Sequence, residues 1–499
     1  MHKETQRLIE LDREHTLIAH IGALLGWDQE TYMPPRAIEE RSSQLALIEG
    51  LAHEKAVNPE IGELLAALEA KTDLSDDERA YIRVVRRDYD REVKFPQEFV
   101  TEYAKAASMS QAAWAEAKRK SDFAAFRPHL ERMVELNRQK AAYLNPSAKP
   151  YDVLLDLFEP GSTQESIARV FSVMKAYLVD ILEKIRSVPQ VADLCSGRRV
   201  DPAVQEKISR YLMKVLQYDR ERGRLDVSAH PFTTTLGADD VRITTRYVED
   251  YFPSSLFSTM HESGHALYEL GIDPGPEFRG TKLADAASMA IHESQSRMWE
   301  NIVGRSEAFW QKHFPAISAL LGEAGEGMDC VSFVKSVNKV EPSLIRTEAD
   351  EVTYGLHVIA RFEIESALFD GTLKVEDIPA AWNEKYRTLL GVEVPDDRRG
   401  CLQDVHWSMG AFGYFPSYAL GNLYAAQFWA ALTIEVPDIE AQIAAGDTSM
   451  VLSWLRQKVH VHGSRYQPGE LVQKVTGSPL DPVWFEKYLR AKYSRIYGF

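Results

Sequence analysis

The sequence predicts a mainly α fold that carries one small antiparallel sheet. Apolar residues recur at helical spacing along most of the chain, and polar tetrads of capping-box form stand where such stretches begin. Only the segment from Leu225 to Tyr247 has the β-branched alternation of strands.

The opening segment sets Leu8, Leu11, Leu17, Ile18, Ile21 and Leu24 on a helical period, and the next repeats it with Leu45, Leu47, Ile48 and Leu51. Ser75-Asp76-Asp77-Glu78 and Ser162-Thr163-Gln164-Glu165 predict helix starts: the Ser oxygen meets a free backbone N–H and the Glu reaches back. Residues 1–224 thus read as a mostly helical N-terminal portion. Leu225-Asp226-Val227-Ser228, Phe232-Thr233-Thr234-Thr235-Leu236 and Val241-Arg242-Ile243-Thr244-Thr245-Arg246-Tyr247, the last two joined by Gly237-Ala238-Asp239-Asp240, read as the antiparallel sheet. The open edge of such a sheet can hydrogen-bond an extended chain. A purely structural hairpin fits the same spacing, and both readings stay open.

Helical patterning resumes through to Phe499, so residues 225–499 hold the sheet and all the catalytic motifs described below. Length alone suggests about three domains. The absence of internal repeats, low-complexity tracts and Gly/Ser linkers favours instead a single catalytic unit over 1–499, with room for two lobes.

Composition is that of an ordinary globular protein, 45% apolar and 26% charged. A net charge of −16, from 74 acidic against 58 basic residues, repels phosphate backbones and anionic membranes, which argues against nucleic acid as a partner. Cys195, Cys330 and Cys401 are far apart and form no CxxC pair, so a reducing cytoplasm is the expected setting. The N-terminus is charged from the start and has no apolar signal core. Val405 to Ile434 lacks any charged residue and is long enough to span a bilayer. Because Gly410, Gly413, Pro416, Gly421, Asn422 and Gln427 interrupt it, it reads as a buried helix and loop beside a site, with no membrane role.

His261-Glu262-Ser263-Gly264-His265 carries the chemistry. Residues four apart share a helix face, so both imidazoles reach one metal ion while Glu262 stands next to its water. The flanking Leu256, Phe257, Met260, Ala266, Leu267 and Tyr268 make this a buried helix, where two histidines and a glutamate are costly unless a metal satisfies them. Catalytic zinc takes three protein ligands. Glu293, 28 residues beyond His265 in Ile291-His292-Glu293-Ser294-Gln295, is the best third ligand; His292 competes, but points about 100° away on the same helix. Standing alone, Glu293 would read as a solvated helix acid. A metal site of this type lowers the pKa of a water to roughly 7, with Glu262 as the general base, and the reaction class is amide hydrolysis.

In order along the chain stand His230-Pro231-Phe232, Asp240-Val241-Arg242-Ile243-Thr244, the 261–265 pentapeptide, His292-Glu293-Ser294-Gln295, Ile345-Arg346-Thr347-Glu348-Ala349-Asp350 and Gly400-Cys401-Leu402-Gln403-Asp404-Val405-His406-Trp407. With Trp27-Asp28-Gln29, Gly413-Tyr414-Phe415-Pro416-Ser417-Tyr418 and Val461-His462-Gly463-Ser464-Arg465, they make the chain resemble the M32 metallocarboxypeptidases over nearly its whole length. Ala290 stands where that family commonly has glycine.

The resemblance implies a two-lobed helical fold with a deep active-site groove, similar to neurolysin and angiotensin-converting enzyme. It also implies homodimers and the removal of single residues from peptides with a free C-terminus. One Zn(II) per chain falls to His261, His265 and Glu293, with Glu262 as base; Co(II) would bind the same set. His406 and Tyr418, twelve apart, resemble the oxyanion-stabilising pair of such peptidases, and Tyr414 is a second tyrosine of that kind; read without the family, His406-Trp407 is a core pair. An arginine fork suits the substrate's terminal carboxylate. Arg346 is the first choice, against an internal ion pair with Glu348, Asp350 or Glu351; Arg242 is the second, and His230 lines the groove. A zinc oligopeptidase cutting internally would share this core, and a non-catalytic helical binding protein is the reading furthest from it.

Overall fold

The computed structural model describes residues 1–499. The chain is mainly helical, with a three-stranded sheet between residues 225 and 245. It forms two compact units, each assembled from separated stretches. The first comprises Met1–Val93, Asp193–Val337 and Ala425–Pro479; the second comprises Lys94–Ala192, Asn338–Tyr424 and Leu480–Phe499.

In the first unit, helices Lys3–Thr31, Pro59–Glu69 and Asp76–Val93 close a core of Leu8, Leu11, Ile61, Leu65, Leu68, Tyr81 and Val85, with Phe278 and Leu283. The capping box at Ser75 is formed: the Glu78 N–H donates to Ser75 Oγ at 3.2 Å, and the Ser75 N–H to Glu78 Oε2 at 3.1 Å. The periodic leucines of the opening helix divide. Leu8 and Leu11 are buried, while Leu17, Ile21 and Leu24 stay 63, 49 and 40% exposed.

The sheet comprises β1 (Leu225–Val227), β2 (Thr233–Gly237) and β3 (Asp240–Thr245), in the order β1-β3-β2. β2 and β3 are antiparallel, Thr233 facing Ile243, whereas β1 runs parallel to β3, Leu225 facing the same Ile243. The expected all-antiparallel sheet is therefore mixed. β3, with Val241, Ile243, Thr244 and Thr245 buried, takes the centre, where both neighbours satisfy its backbone, and half-buried β2 is left at the edge. Met213, Tyr218, Leu225, Val241 and Ile243 pack against Ala266 and Leu270, fixing helix Pro253–Glu269 on the sheet.

That helix lies in backbone contact with helix Met289–Arg297. A Cβ on Gly264 would sit 2.6 Å from the Gln295 carbonyl oxygen and 2.7 Å from Ser296 Cα. Glycine is required by this close approach.

In the second unit, Asp350 caps helix Glu351–Asp370 by accepting from the Val352 and Thr353 N–H groups, both at 2.9 Å. Helix Gln164–Arg186 starts one residue away from the expected box: Thr163 is the extended N-cap residue and pairs with Ser166, so Ser162 lies outside the helix. The uncharged stretch after Val405 folds as the turn His406–Met409 and the helix Phe415–Glu435, with Leu420, Leu423, Phe428 and Leu432 buried. No helix is long and apolar enough to cross a membrane.

Replacing Gly264 with alanine forces a methyl group into the Gln295 backbone. We expect a loss of roughly 1–3 kcal/mol, read as a lowered thermal midpoint; an unchanged midpoint would show that the two helices can separate without cost.

Candidate metal centre

His261, His265 and Glu293 converge from the two touching helices. The two Nε2 atoms are 3.2 Å apart, and Glu293 Oε2 lies 3.6 Å from His261 Nε2 and 3.4 Å from His265 Nε2. Three donors on one face of a tetrahedron with bonds of about 2.0 Å stand about 3.3 Å from one another. The triangle has the size of a metal site.

The surrounding hydrogen bonds fix which atoms carry protons. Glu300 Oε2 lies 2.9 Å from His261 Nδ1, and a carboxylate only accepts, so Nδ1 bears the hydrogen and Nε2 presents its lone pair. His292 Nε2 lies 2.7 Å from Glu269 Oε1 and so bears a hydrogen, and its Nδ1 meets His265 Nδ1; with the hydrogen of that contact on His265, Nε2 likewise presents a lone pair. With Glu293 Oε2, three electron pairs meet in a buried place. They repel one another unless a cation stands between them.

Local charge points the same way. Glu293 and Glu300 pair with Arg297 and Arg305, while Glu262 and Glu269 bring two further carboxylates to the same place, bonded to Thr233 and His292. Burial pushes the Glu293 carboxyl up, but Arg297 and His261 beside it hold it well below the usual range. Glu300 is likewise raised by burial and brought below the usual range by His261, Arg297 and Arg305. For His261, burial lowers the pKa, and Glu293 and Glu300 raise it above the ordinary value. His265 is lowered to about 3, by burial and by His292.

Arg297 Nε donates to Glu293 Oε1 at 2.7 Å and Ser296 Oγ donates to Oε2 at 3.0 Å, orienting the third ligand. Beyond Arg297 the helix widens into a π-helical turn, Met298–Val303, which carries Glu300 to His261. Such turns recur at functional sites. Glu262, 6% exposed, accepts from Thr233 Oγ1 at 2.7 Å, and burial raises its carboxyl above the ordinary value. A buried carboxylate of raised pKa has the character of a general base.

The remaining candidates fall into two groups. In the first unit, His230 is exposed ahead of β2, and its backbone oxygen accepts from Ser228 Oγ at 2.6 Å. Arg242 is engaged within the sheet, donating to both oxygens of Asp240 at 2.8 and 2.7 Å and lying over the Trp27 ring at 4.4 Å.

In the second unit, Arg346, His406, Tyr414 and Tyr418 come together. Arg346, 5% exposed, donates through Nε and Nη2 to Asp404 Oδ1 at 3.2 and 3.0 Å, and through Nη1 to Tyr354 at 3.1 Å. Its partner is thus Asp404, outside the Glu348, Asp350 and Glu351 set. The same Asp404 accepts from the fully buried Arg361 at 2.7 Å. His406 Nε2 lies 3.3 Å from the Tyr418 hydroxyl, and burial lowers its pKa to about 4, so the ring is neutral at pH 7. Tyr414 packs its ring against both, at 5.4 and 5.1 Å between centroids.

Sequence reasoning missed Thr233, Glu269, Glu300, Arg297, Asp404 and Arg361. Helical spacing alone could have found three of them. Glu269 follows His265 by four residues, and Arg297 and Glu300 follow Glu293 by four and seven, each on the ligand's own face. Thr233 and Arg361 depend on tertiary approach and leave no local signal.

The family model for the carboxypeptidase Taq (M32) metallopeptidases matches residues 7–493. The chain is 42% identical to a thermostable carboxypeptidase 1 from Thermus thermophilus, over 99% of each chain. It is 38% identical to carboxypeptidase 1 from Bacillus subtilis, over 100% of this chain and 99% of that one. The crystal structure of an M32 carboxypeptidase from Deinococcus radiodurans superposes with a TM-score of 0.97 at 40% identity, covering 100% of both chains.

Removing the outer partner of a histidine ligand weakens metal affinity by roughly 10–100-fold. His292→Phe should show that loss in competition with a chromogenic chelator; wild-type affinity in that variant would mean that His265 needs no orienting partner.

Proposed function

The chain belongs to the carboxypeptidase Taq (M32) metallopeptidase family, and from that footing we propose that it is a zinc carboxypeptidase releasing single residues from the free C-terminus of peptides. One observation carries the reading: three donor atoms 3.2–3.6 Å apart, with a buried carboxylate, Glu262, between the two histidines in sequence. Zn(II) suits the His-His-Glu set, one ion per chain, and Co(II) would be accepted by the same donors. When bound, the metal polarises the scissile carbonyl and brings the pKa of a water to about 7.

The side chains do the rest. Glu262 takes the proton of the attacking water on its carboxylate and returns it to the leaving amine. Arg297 keeps Glu293 ionised and oriented throughout. His406 and Tyr418 are assigned to the oxyanion. A neutral imidazole and a phenol are both hydrogen-bond donors that add no formal charge, and loss of one such donor costs about 3–4 kcal/mol in other hydrolases. The 3.3 Å contact between them holds the two groups side by side, and it loosens when both donate to the oxyanion.

For the substrate carboxylate we retain Arg346. Two arginines on Asp404 leave one positive charge in excess in a buried cluster, and an anionic terminus neutralises it. Arg242 is already balanced by Asp240, which argues against it. His230 and Tyr414 are assigned contacts to the peptide. The unpaired edge of β2, whose Thr233 touches Glu262, suits an extended substrate.

A second copy of the chain is the proposed partner. The helix Ile38–Ala56 buries none of its residues, and Leu47 and Leu51 on it join Leu17, Ile21 and Leu24 as apolar side chains at least 40% exposed. Such a surface is characteristic of interfaces. Three cysteines without disulfides agree with a cytoplasmic setting.

Glu262→Gln should lower kcat by about 10²–10⁴-fold with metal still bound; full activity would remove the general base from the scheme. Blocked dipeptides with a free C-terminus should be cleaved and their C-terminal amides should not. Equal cleavage of both would favour an internally cutting oligopeptidase.

A further inference from the structure

Thr233 is the first residue of β2, and its backbone position is set by the antiparallel pairing with Ile243 of central β3. Its β-branched side chain has few rotamers in a strand. The hydroxyl Oγ1 lies 2.7 Å from Glu262 Oε2 and 3.1 Å from the Glu262 carbonyl oxygen. The hydroxyl has one hydrogen, and the nearer acceptor is Oε2, so the bond ties the carboxylate to the sheet.

Glu262 has several rotatable bonds and a nearly closed surrounding, and a free carboxylate there would sample more than one orientation. A donor fixed by the sheet removes that freedom. We propose that Thr233 is a positioning residue for the hydrolytic reaction: it engages Oε2 of Glu262 and leaves Oε1 as the oxygen that exchanges the proton with water and leaving group. The proposal rests on the reading of Glu262 as general base.

The role explains the local architecture. β2 is an edge strand of a very small sheet, yet it packs on the helix that bears both histidine ligands, and Thr233 is the point where the sheet reaches that helix's acid. The sheet thereby couples the position of the base to that of the metal ligands, since β3 packs on the same helix through Val241 and Ile243.

The test compares Thr233→Val, which keeps the shape and removes the hydroxyl, with Thr233→Ser, which keeps the hydroxyl. Misplacement of a reacting group by about 1 Å costs up to roughly 10²-fold, so Thr233→Val should lose about 10–100-fold in kcat, with KM within about twofold and the metal content unchanged. Thr233→Ser should recover most of the rate. Wild-type kcat in Thr233→Val, a serine variant no better than the valine one, or metal loss in Thr233→Val would each overturn the proposal. Glu262→Gln separates the two levels: activity surviving that change removes the base itself, whereas an inactive Glu262→Gln beside a fully active Thr233→Val removes only the role of Thr233.

Discussion

Three electron pairs pointed at one another in a buried space are an unstable arrangement, and the first unit is organised around making that arrangement unavoidable. Nε2 of His261, Nε2 of His265 and Oε2 of Glu293 approach within 3.2–3.6 Å, each with its proton-bearing or charge-balancing partner placed on the far side. Glu300 takes the hydrogen of His261, the Glu269–His292 pair takes that of His265, and Arg297 takes the second oxygen of Glu293. With every alternative partner used elsewhere, a cation is what lowers the energy of the centre.

The backbone serves the same end. Gly264 lets the two ligand helices touch, which sets the distance between the histidine pair and the glutamate. The π-helical turn after Arg297 places Glu300 behind His261, and the mixed sheet supports the first ligand helix from outside and supplies the Thr233 hydroxyl. In the second unit a different imbalance is built in: Arg346 and Arg361 share the single carboxylate of Asp404, next to a neutral His406 bonded to Tyr418.

Features whose physics is local could be read from the sequence. The pairing of His261 with His265 follows from helix geometry, Glu293 from the need for a third ligand within an apolar frame, and the Ser75–Glu78 box from four consecutive residues. The box at Thr163 slipped by one position because Ser162 and Thr163 offer equivalent hydroxyls, and only the extended backbone of Thr163 selects the cap. The parallel pairing of β1 with β3 was hidden, since alternation identifies strands but does not order them. Ion pairs separated by long stretches were hidden too. Nothing near Arg346 in sequence announces Asp404, 58 residues away, and a neighbouring acid such as Asp350 turns out to be committed to a helix cap.

The triangle of His261, His265 and Glu293 has the size and donor set for one divalent ion. The direct measurement is a calorimetric titration of metal-free chain with Zn(II), alongside the Glu293→Ala variant. One tight equivalent per wild-type chain, lost in the variant, is the predicted result. No tight equivalent in the wild type, or one retained undiminished in Glu293→Ala, would contradict it.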